Sequence, residues 1–201
     1  MNILAVSCSP RKSGATVEVL EEVLKGAKEE GFAVELYSVS GKTISGCTSC
    51  YGCQETGECV LKDDLNELYS KMLAADGIVF GTPIYYYGMT AQAKAIIDRT
   101  FSLNNPAKSL RNKIGGIVTV AGSLGMVDAL KDFYFFFAVK QMLPASHVAV
   151  YSGAVDDLKK LEKGMKAAWD LGRQMVKLAE KKFEYPSEFQ PRPFAFGTHT
   201  F

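Results

Sequence analysis

The sequence alternates short apolar segments with longer amphipathic segments, and this alternation restricts the chain to a few architectures. The short segments are rich in β-forming residues and bounded by residues typical of turns. This pattern is typical of buried strands in a parallel sheet. We predict strands at residues 2–7, 33–39, 77–81, 114–120 and 147–151.

The segments between these strands repeat their apolar residues with helical spacing. We predict helices at residues 16–30, 64–75 and 91–101, a helical stretch between the last two strands, and one long closing helix at 156–182. In the first helix Val17, Leu20 and Leu24 share one face, and Gly31 provides a stop signal.

Alternating units of this kind predict an α/β fold with a doubly wound parallel sheet and helices on both faces. Five strands favour the flavodoxin-like order 2-1-3-4-5, in which ligands bind outside the carboxyl ends of the strands where the strand order reverses. We expect this domain to span residues 1–183 and to be followed by a tail at 184–201, which is rich in Pro and aromatic residues.

Composition excludes several classes of partner. The formal net charge is +1 with acids and bases intermixed, so we expect neither nucleic acid nor a membrane surface as a partner. The longest apolar run, residues 133–139, is far shorter than the roughly 18 residues of a membrane span. Met1 leads straight into a strand pattern without a signal peptide, so we expect a cytoplasmic protein.

The loop after the first strand has the composition of an anion site. Residues 7–16 read Ser-Cys-Ser-Pro-Arg-Lys-Ser-Gly-Ala-Thr and open a helix, whose first N–H groups attract phosphate. The segment is neither a Walker A loop nor a dinucleotide fingerprint. Alternatively, its hydroxyl residues only cap and turn the chain. The candidate phosphate-binding residues are Ser9, Arg11, Lys12, Ser13, Ala15 and Thr16.

Two further loops are expected at the same edge of the sheet. The loop after the third strand combines turn-forming residues with three tyrosines, which can cover a planar ring or simply pack over the sheet edge. Glycine and serine after the fourth strand can bring backbone amides near a cofactor or serve as ordinary turn residues. The candidates are Pro83, Ile84, Tyr85, Tyr86, Tyr87, Gly88, Gly122 and Ser123.

Four cysteines within thirteen residues form the strongest local motif. Cys47, Cys50, Cys53 and Cys59 follow a C-x2-C-x2-C-x5-C spacing between the second strand and the second helix. Such a run can supply four thiolates to a [4Fe-4S] cluster, while a structural zinc site or unligated thiols remain alternatives. The fifth cysteine, Cys8, is expected to be a packing residue.

The pattern S-P-R-x-x-G-x-T, together with the cysteine run, resembles the iron-sulfur flavoproteins of the NADPH-dependent FMN reductase family. Ala15 stands where that family often has Asn, which removes a side-chain donor but keeps the backbone N–H. The resemblance implies an FMN- and [4Fe-4S]-containing electron-transfer flavoprotein. It also implies an electron-carrier partner such as ferredoxin, or NAD(P)H, and a homodimer or homotetramer.

Two other functions fit parts of the sequence. One is an NAD(P)H-dependent FMN or quinone reductase without a cluster, and the other is a zinc-stabilised binding module without catalytic activity. No residue is assigned as catalytic, because His147 and His199 form no Ser-His-Asp or Cys-His pattern. Asp63 or Asp64 is expected only to cap the second helix.

Overall fold

A parallel five-stranded sheet forms the centre of the computed structural model, which describes residues 1–105, 108–153 and 155–189. The strands are β1 (Asn2–Ser7), β2 (Ala33–Ser38), β3 (Gly77–Pro83), β4 (Ile114–Ala121) and β5 (Leu143–Tyr151). Their order is β2-β1-β3-β4-β5, and every neighbouring pair is parallel. The predicted flavodoxin-like fold and strand order are therefore confirmed.

Helices cover both faces of the sheet, as predicted. They are α1 (Ala15–Glu29), α2 (Gly52–Thr56), α3 (Leu65–Ala74), α4 (Ala91–Arg99), α5 (Met126–Val139), α6 (Val155–Leu158) and α7 (Glu162–Ala179). A 3-10 turn at Thr100–Leu103 extends α4, and a short antiparallel ladder joins Asn104–Asn105 to Lys108–Ser109.

Alternating side chains of the strands supply two apolar cores. Ile3, Val79 and Val118 point to the face covered by α1 and α7, whereas Leu4, Phe80 and Ile117 point to the face covered by α3, α4 and α5. The aromatic run of α5 belongs mainly to the second core. Phe133 and Phe137 are fully buried, and Phe133 stacks on Phe80 with ring centroids 5.4 Å apart, while Phe135 is 54% exposed.

Helices α1 and α7 touch backbone to backbone. A Cβ atom on Gly172 would lie 1.9 Å from the Val23 carbonyl oxygen, and one on Gly26 would lie 2.1 Å from the Trp169 carbonyl oxygen. Only glycine permits so close an approach at these two positions. The packing fixes α1, and with it the loop that opens α1, against the rest of the fold.

The single closing helix expected at 156–182 is divided in two. Leu161 has a non-helical backbone between α6 and α7, and the Leu161 N–H bonds to the Leu158 carbonyl three residues earlier. Leu158 is 2% exposed, so the tight turn allows it and the stripe of α7 to face the same core. That stripe contains Leu171 and Val176 as well as the predicted Ala168 and Met175.

The first part of the C-terminal tail lies on its own domain. The Tyr185 N–H donates to Asn112 Oδ1 over 3.0 Å, and the Gln141 side chain donates to the Phe189 carbonyl over 3.0 Å. Asn112 and Gln141 lie just before the amino ends of β4 and β5, away from the candidate cofactor loops. Residues 190–201 of the predicted tail lie outside the described residues. Among the helices described, none combines the length and apolarity needed to cross a bilayer.

Candidate cofactor sites

Three candidate cofactor loops meet at the carboxyl edge of the sheet. They follow β1, β3 and β4, which are adjacent strands. Thr90, at the start of α4, donates its hydroxyl to the Cys8 carbonyl over 2.9 Å and so ties the first two loops together. The loop after β4 approaches the loop after β3, because a Cβ atom on Gly125 would lie 2.6 Å from the Cα of Tyr87.

The loop between β1 and α1 is arranged as an anion cradle. Gly14 occupies the N-cap of α1 and no side chain caps the helix, so the first N–H groups of α1 are available to a ligand. Ser9 is buried and its hydroxyl accepts the Arg11 N–H over 3.2 Å, which is the turn role that the alternative interpretation expected. Ser7, at the end of β1, has a buried hydroxyl without a hydrogen-bond partner among the described residues.

The remaining phosphate candidates surround this helix terminus. Arg11, Lys12 and Ser13 are exposed, whereas Thr16 is buried in the first turn of α1. Ala15, the departure from the resembled pattern, is half-buried and begins the helix. Two exposed cations, the hydroxyls of Ser9, Ser13 and Thr16, and the first N–H groups of α1 therefore lie within one short loop. This is the donor set that a phosphate monoester requires.

The three tyrosines form a tight turn that projects from the sheet edge. Tyr85 and Gly88 exchange two backbone hydrogen bonds of 3.0 and 3.1 Å, with Tyr86 and Tyr87 between them at φ values of 46° and 66°. Two consecutive left-handed residues define the type I′ geometry, which normally selects Asn-Gly. Tyr86 is 101% exposed, so its ring does not pack over the sheet edge of its own chain.

The strands on either side position this turn. Pro83 ends β3, and the Ile84 N–H donates to the Val120 carbonyl of β4 over 2.8 Å. Gly122 and Ser123 follow β4 and are exposed, and nothing lies within 4 Å of the position that a Cβ atom on Gly122 would occupy. The edge above β3 and β4 is consequently open, with aromatic rings on one side and backbone groups on the other.

All four cysteines of the motif line one cavity of about 340 Å³. The cavity lies between the cysteine loop and the carboxyl end of α4, where Arg99, Phe101 and Ser102 complete its wall. Ser49 and Tyr51 adopt left-handed conformations that turn the chain between the first cysteines. The loop thus wraps around a space instead of packing its thiols into the core.

Several donors approach the sulfur atoms of this loop. Hydrogen bonds from the Gly52 N–H and the Thr48 hydroxyl lower the pKa of the Cys50 thiol and favour the thiolate, which is the form that binds metals. The Gln54 side chain lies 3.8 Å from Cys53 Sγ. The described residues include no set of three or more His, Cys, Asp or Glu side chains gathered closely enough around one point to hold a single metal ion.

A buried arginine that the sequence interpretation overlooked joins this site. Arg99 is 1% exposed and forms an ion pair with Asp63. Its guanidinium also donates to Cys59 Sγ over 3.4 Å. The signal was present in the sequence, because Arg99 continues the buried stripe of α4 that contains Ala93 and Ile96.

The two aspartates before α3 have different roles. Asp63 Oδ1 accepts the Leu65 N–H at the start of α3 over 3.2 Å, whereas Asp64 occupies the N-cap position and its side chain makes no capping hydrogen bond. The side chain of Asp64 instead accepts the Thr43 N–H over 2.6 Å. Burial alone would raise the pKa of Asp63, but hydrogen bonds from Arg99 and from the Ser45 and Leu65 N–H groups outweigh it and lower that pKa.

The two candidate sites lie at opposite ends of α4. Thr90 holds the amino end of this helix beside the phosphate loop, whereas Arg99 at its carboxyl end lines the cysteine cavity. A helix of nine residues is about 13 Å long. The stem of the cysteine loop lies closer to the phosphate loop, because the Ser40 hydroxyl donates to the Pro10 carbonyl over 3.0 Å.

Cys8 is separate from the cysteine cavity. It is fully buried, and burial raises the pKa of its thiol to about 12. A thiol held in its neutral form is a poor nucleophile and a poor metal ligand. Its contacts agree with the packing role expected from the sequence.

Comparison with known proteins identifies the family. The model of the NADPH-dependent FMN reductase family matches residues 1–157, which include the anion loop, the cysteine loop and the tyrosine turn. The chain belongs to this family. It is therefore a flavin-dependent oxidoreductase, as the sequence predicted.

Individual relatives place the chain among the iron-sulfur flavoproteins of the family. An iron-sulfur flavoprotein of Methanocaldococcus jannaschii is 34% identical over 90% of this chain and 100% of its own length. One of Archaeoglobus fulgidus is 38% identical over 72% of this chain and 75% of its own length. The solved flavodoxin, WrbA-like protein from Agrobacterium tumefaciens superimposes with a TM-score of 0.67 at 20% identity, covering 90% of this chain and 99% of its own. That structural likeness supports the fold.

Proposed function

We propose that this flavin-dependent oxidoreductase is an electron-transfer flavoprotein with two redox sites. FMN would bind at the carboxyl edge of the sheet, and a [4Fe-4S] cluster would bind to Cys47, Cys50, Cys53 and Cys59. The observation that carries the proposal is the convergence of these four thiols on one cavity of about 340 Å³. The similarity to iron-sulfur flavoproteins of Methanocaldococcus jannaschii and Archaeoglobus fulgidus supports the same assignment.

The carboxyl edge offers a complementary group for each part of FMN. The 5′-phosphate would be held by the free N–H groups of α1 and by the side chains of Ser9, Arg11 and Thr16, because a helix N-terminus and a guanidinium both favour a dianion. Lys12 and Ser13 are exposed beside it and add charge and a hydroxyl. The flat ring system would lie against the tyrosine turn, with Gly122 and Ser123 providing backbone donors on the other side.

The cysteine loop fits a cluster better than a single zinc ion. Structural zinc sites usually take two C-x-x-C pairs separated by a longer spacer, whereas the four cysteines of this loop lie within thirteen residues. A cubane binds each thiolate through a different iron, so it suits four thiols spread around a cavity. The donors near Cys50, Cys53 and Cys59 also suit sulfur atoms that carry negative charge.

The combination of sites defines the chemistry that the protein would perform. Bound FMN exchanges one or two electrons and a bound cluster exchanges one, so together they connect one-electron carriers to acceptors of electron pairs. The residues that would hold the two groups lie near the two ends of α4, since Thr90 adjoins the phosphate loop and Arg99 lines the cysteine cavity. The open sheet edge and the exposed Cys47 and Cys50 leave both sites accessible to partners.

The proposed partners follow from these exposed sites. A one-electron carrier protein such as ferredoxin would approach the cysteine loop, or NAD(P)H would approach the flavin edge. We also propose a homodimer or homotetramer. It is supported by an apolar groove of about 300 Å³ between α4 and α5, where the half-exposed Phe135 lies beside Ile97 and Val139.

A second candidate is an NAD(P)H-dependent FMN or quinone reductase in which the cysteines hold no cluster. The family description favours it, since the matched family consists of NADPH-dependent FMN reductases. This function predicts that NADPH rapidly bleaches the bound flavin and that iron is absent. A zinc-stabilised binding module would instead be colourless and would contain stoichiometric zinc.

The experiment compares Cys53→Ala with Cys8→Ala in protein purified without oxygen. Cys53 lines the cavity, while Cys8 is a buried cysteine outside it and controls for the loss of a thiol. We expect Cys53→Ala to lose iron and the broad visible absorption of the cluster but to keep its FMN. Cys8→Ala should keep both groups. Equal iron content in the two variants, or iron-free wild-type protein that NADPH reduces, would contradict the proposed function.

A further inference from the structure

Arg99 is the largest fully buried side chain described, and no role in FMN binding accounts for it. It lies at the carboxyl end of α4 and reaches into the base of the cysteine loop. A buried guanidinium is unfavourable unless its charge and its donors are matched. Its partners therefore indicate what the structure gains from placing it there.

The guanidinium connects both stems of the cysteine loop. Nη1 donates to the Ser45 carbonyl over 3.2 Å, two residues before the first cysteine, and pairs with Asp63 beyond the last. Nη2 donates to the Leu61 carbonyl and to Cys59 Sγ, each over 3.4 Å. The Tyr69 hydroxyl fixes the base of this arrangement by donating to the Arg99 carbonyl over 2.8 Å. One side chain thus closes the loop and touches its fourth thiol.

One donor of this guanidinium is left over. Arg99 Nε is buried and has no hydrogen-bond partner among the described residues. Buried N–H groups are rarely unpaired in native proteins, but Nε is shielded from solvent and therefore does not face the cavity. The two Nη groups are the part of Arg99 that contacts the cysteine loop.

We infer that Arg99 is a positioning residue for the iron-sulfur site, which holds the Cys59 thiolate in place and raises the reduction potential of the cluster. The inference rests on the proposed cluster. Reduction adds one negative charge to the cluster and its thiolates, and a cationic donor to sulfur stabilises that added charge. Asp63 opposes this effect, because its carboxylate neutralises part of the positive charge of Arg99.

The two members of the ion pair should therefore shift the midpoint potential in opposite directions. Arg99→Gln removes the positive charge, so we expect the reduced state to lose about tenfold in equilibrium constant, which lowers the potential by about 59 mV. Asp63→Asn leaves the positive charge uncompensated and should raise the potential. Arg99→Lys keeps the charge but not the planar fork, so its potential should lie between those of wild type and Arg99→Gln.

The measurement is an anaerobic redox titration of the purified holoprotein, followed by the spectrum of the reduced cluster. Iron, acid-labile sulfide and FMN are measured on the same samples. Arg173→Gln is the matched control, because Arg173 pairs with Glu30 on the face of the sheet covered by α1 and α7. It should leave the potential and the iron content unchanged.

The possible outcomes separate a positioning role from simple loss of structure. Opposite shifts for Arg99→Gln and Asp63→Asn, or loss of iron from Arg99→Gln with FMN retained, would support the inference. If Arg99→Gln fails to fold, the Lys and Asn variants decide. Iron-loaded variants with wild-type potentials would refute the inference alone, whereas wild-type protein without iron would refute the proposed function and the inference with it.

Discussion

The contact between α1 and α7 allows a sharp prediction about stability. In Gly172→Ala the new methyl group would lie 1.9 Å from the Val23 carbonyl oxygen and 2.8 Å from the Ala27 nitrogen. Both are backbone atoms of a helix and cannot rotate away. An ordinary contact distance of about 3.4 Å requires the helices to separate by roughly 1.5 Å, which loosens the packing of the core between them.

The size of the effect follows from two opposing contributions. Overpacking of a core costs about 1–3 kcal/mol and occasionally more, and a separation of two helices belongs at the upper end. Alanine returns about 1 kcal/mol through its higher helix propensity. We expect Gly172→Ala to reduce the free energy of unfolding by about 2 kcal/mol and the melting temperature by about 4–8 °C.

Urea unfolding followed by circular dichroism would measure this difference, with Gly164→Ala as the control in the same helix. A methyl group at Gly164 would lie 2.9 Å from the Val150 side chain and at an ordinary contact distance of 3.8 Å from Leu161 Cβ, with no backbone atom near it. The propensity gain should therefore offset most of its cost, and its stability should stay within about 1 kcal/mol of wild type. A Gly172→Ala variant as stable as Gly164→Ala would refute the close packing of α1 against α7.

Three further predictions concern single side chains. Arg11→Ala should weaken FMN binding by about tenfold or more, because a charge-assisted bond to phosphate is lost, and unchanged affinity in a flavin titration would exclude that role. Tyr86→Asn should raise the free energy of unfolding by about 1 kcal/mol, because asparagine tolerates the left-handed backbone at this position better than tyrosine does. The same substitution should weaken FMN binding by removing the aromatic ring. A lower free energy of unfolding in urea would contradict the turn geometry. Burial lowers the pKa of Lys140 from 10.5 to about 7. Between these two pH values the unfolded chain therefore binds more protons than the folded chain, so the free energy of unfolding rises with pH. The slope is at most about 1.36 kcal/mol per pH unit. Lys140→Met should flatten this rise in urea titrations at several pH values, and an unchanged slope would assign it to another group.

The sequence predicted the sheet well because its information is local. Each buried strand appears as an apolar run, and the observed strands begin within one residue of prediction except β5, which starts at Leu143 instead of 147. Residues 143–146 include Pro144 and Ser146, so they do not form the continuous apolar run from which the other strands were predicted. The break between α6 and α7 was also hidden, since Leu158 and Leu161 fit a continuous helical stripe.

The candidate sites were predictable as far as they depend on residues close together in sequence. The anion loop, the tyrosine turn and the cysteine run are all continuous segments. The pair of Arg99 with Asp63 joins residues 36 positions apart, and it exists only because the fold brings the carboxyl end of α4 against the segment that precedes α3. Similarly, the left-handed turn at Tyr86 and Tyr87 departs from the residue preferences of its turn type, so only the structure reveals it.

The metal content of the cysteine loop decides whether the protein holds inorganic iron and sulfide beside a flavin domain, as we propose. Iron, acid-labile sulfide, zinc and FMN measured per chain in anaerobically purified wild-type protein determine it directly. We expect about four iron and four sulfide per chain together with FMN, and little zinc. Stoichiometric zinc without iron, or protein with FMN and no metal, would contradict it.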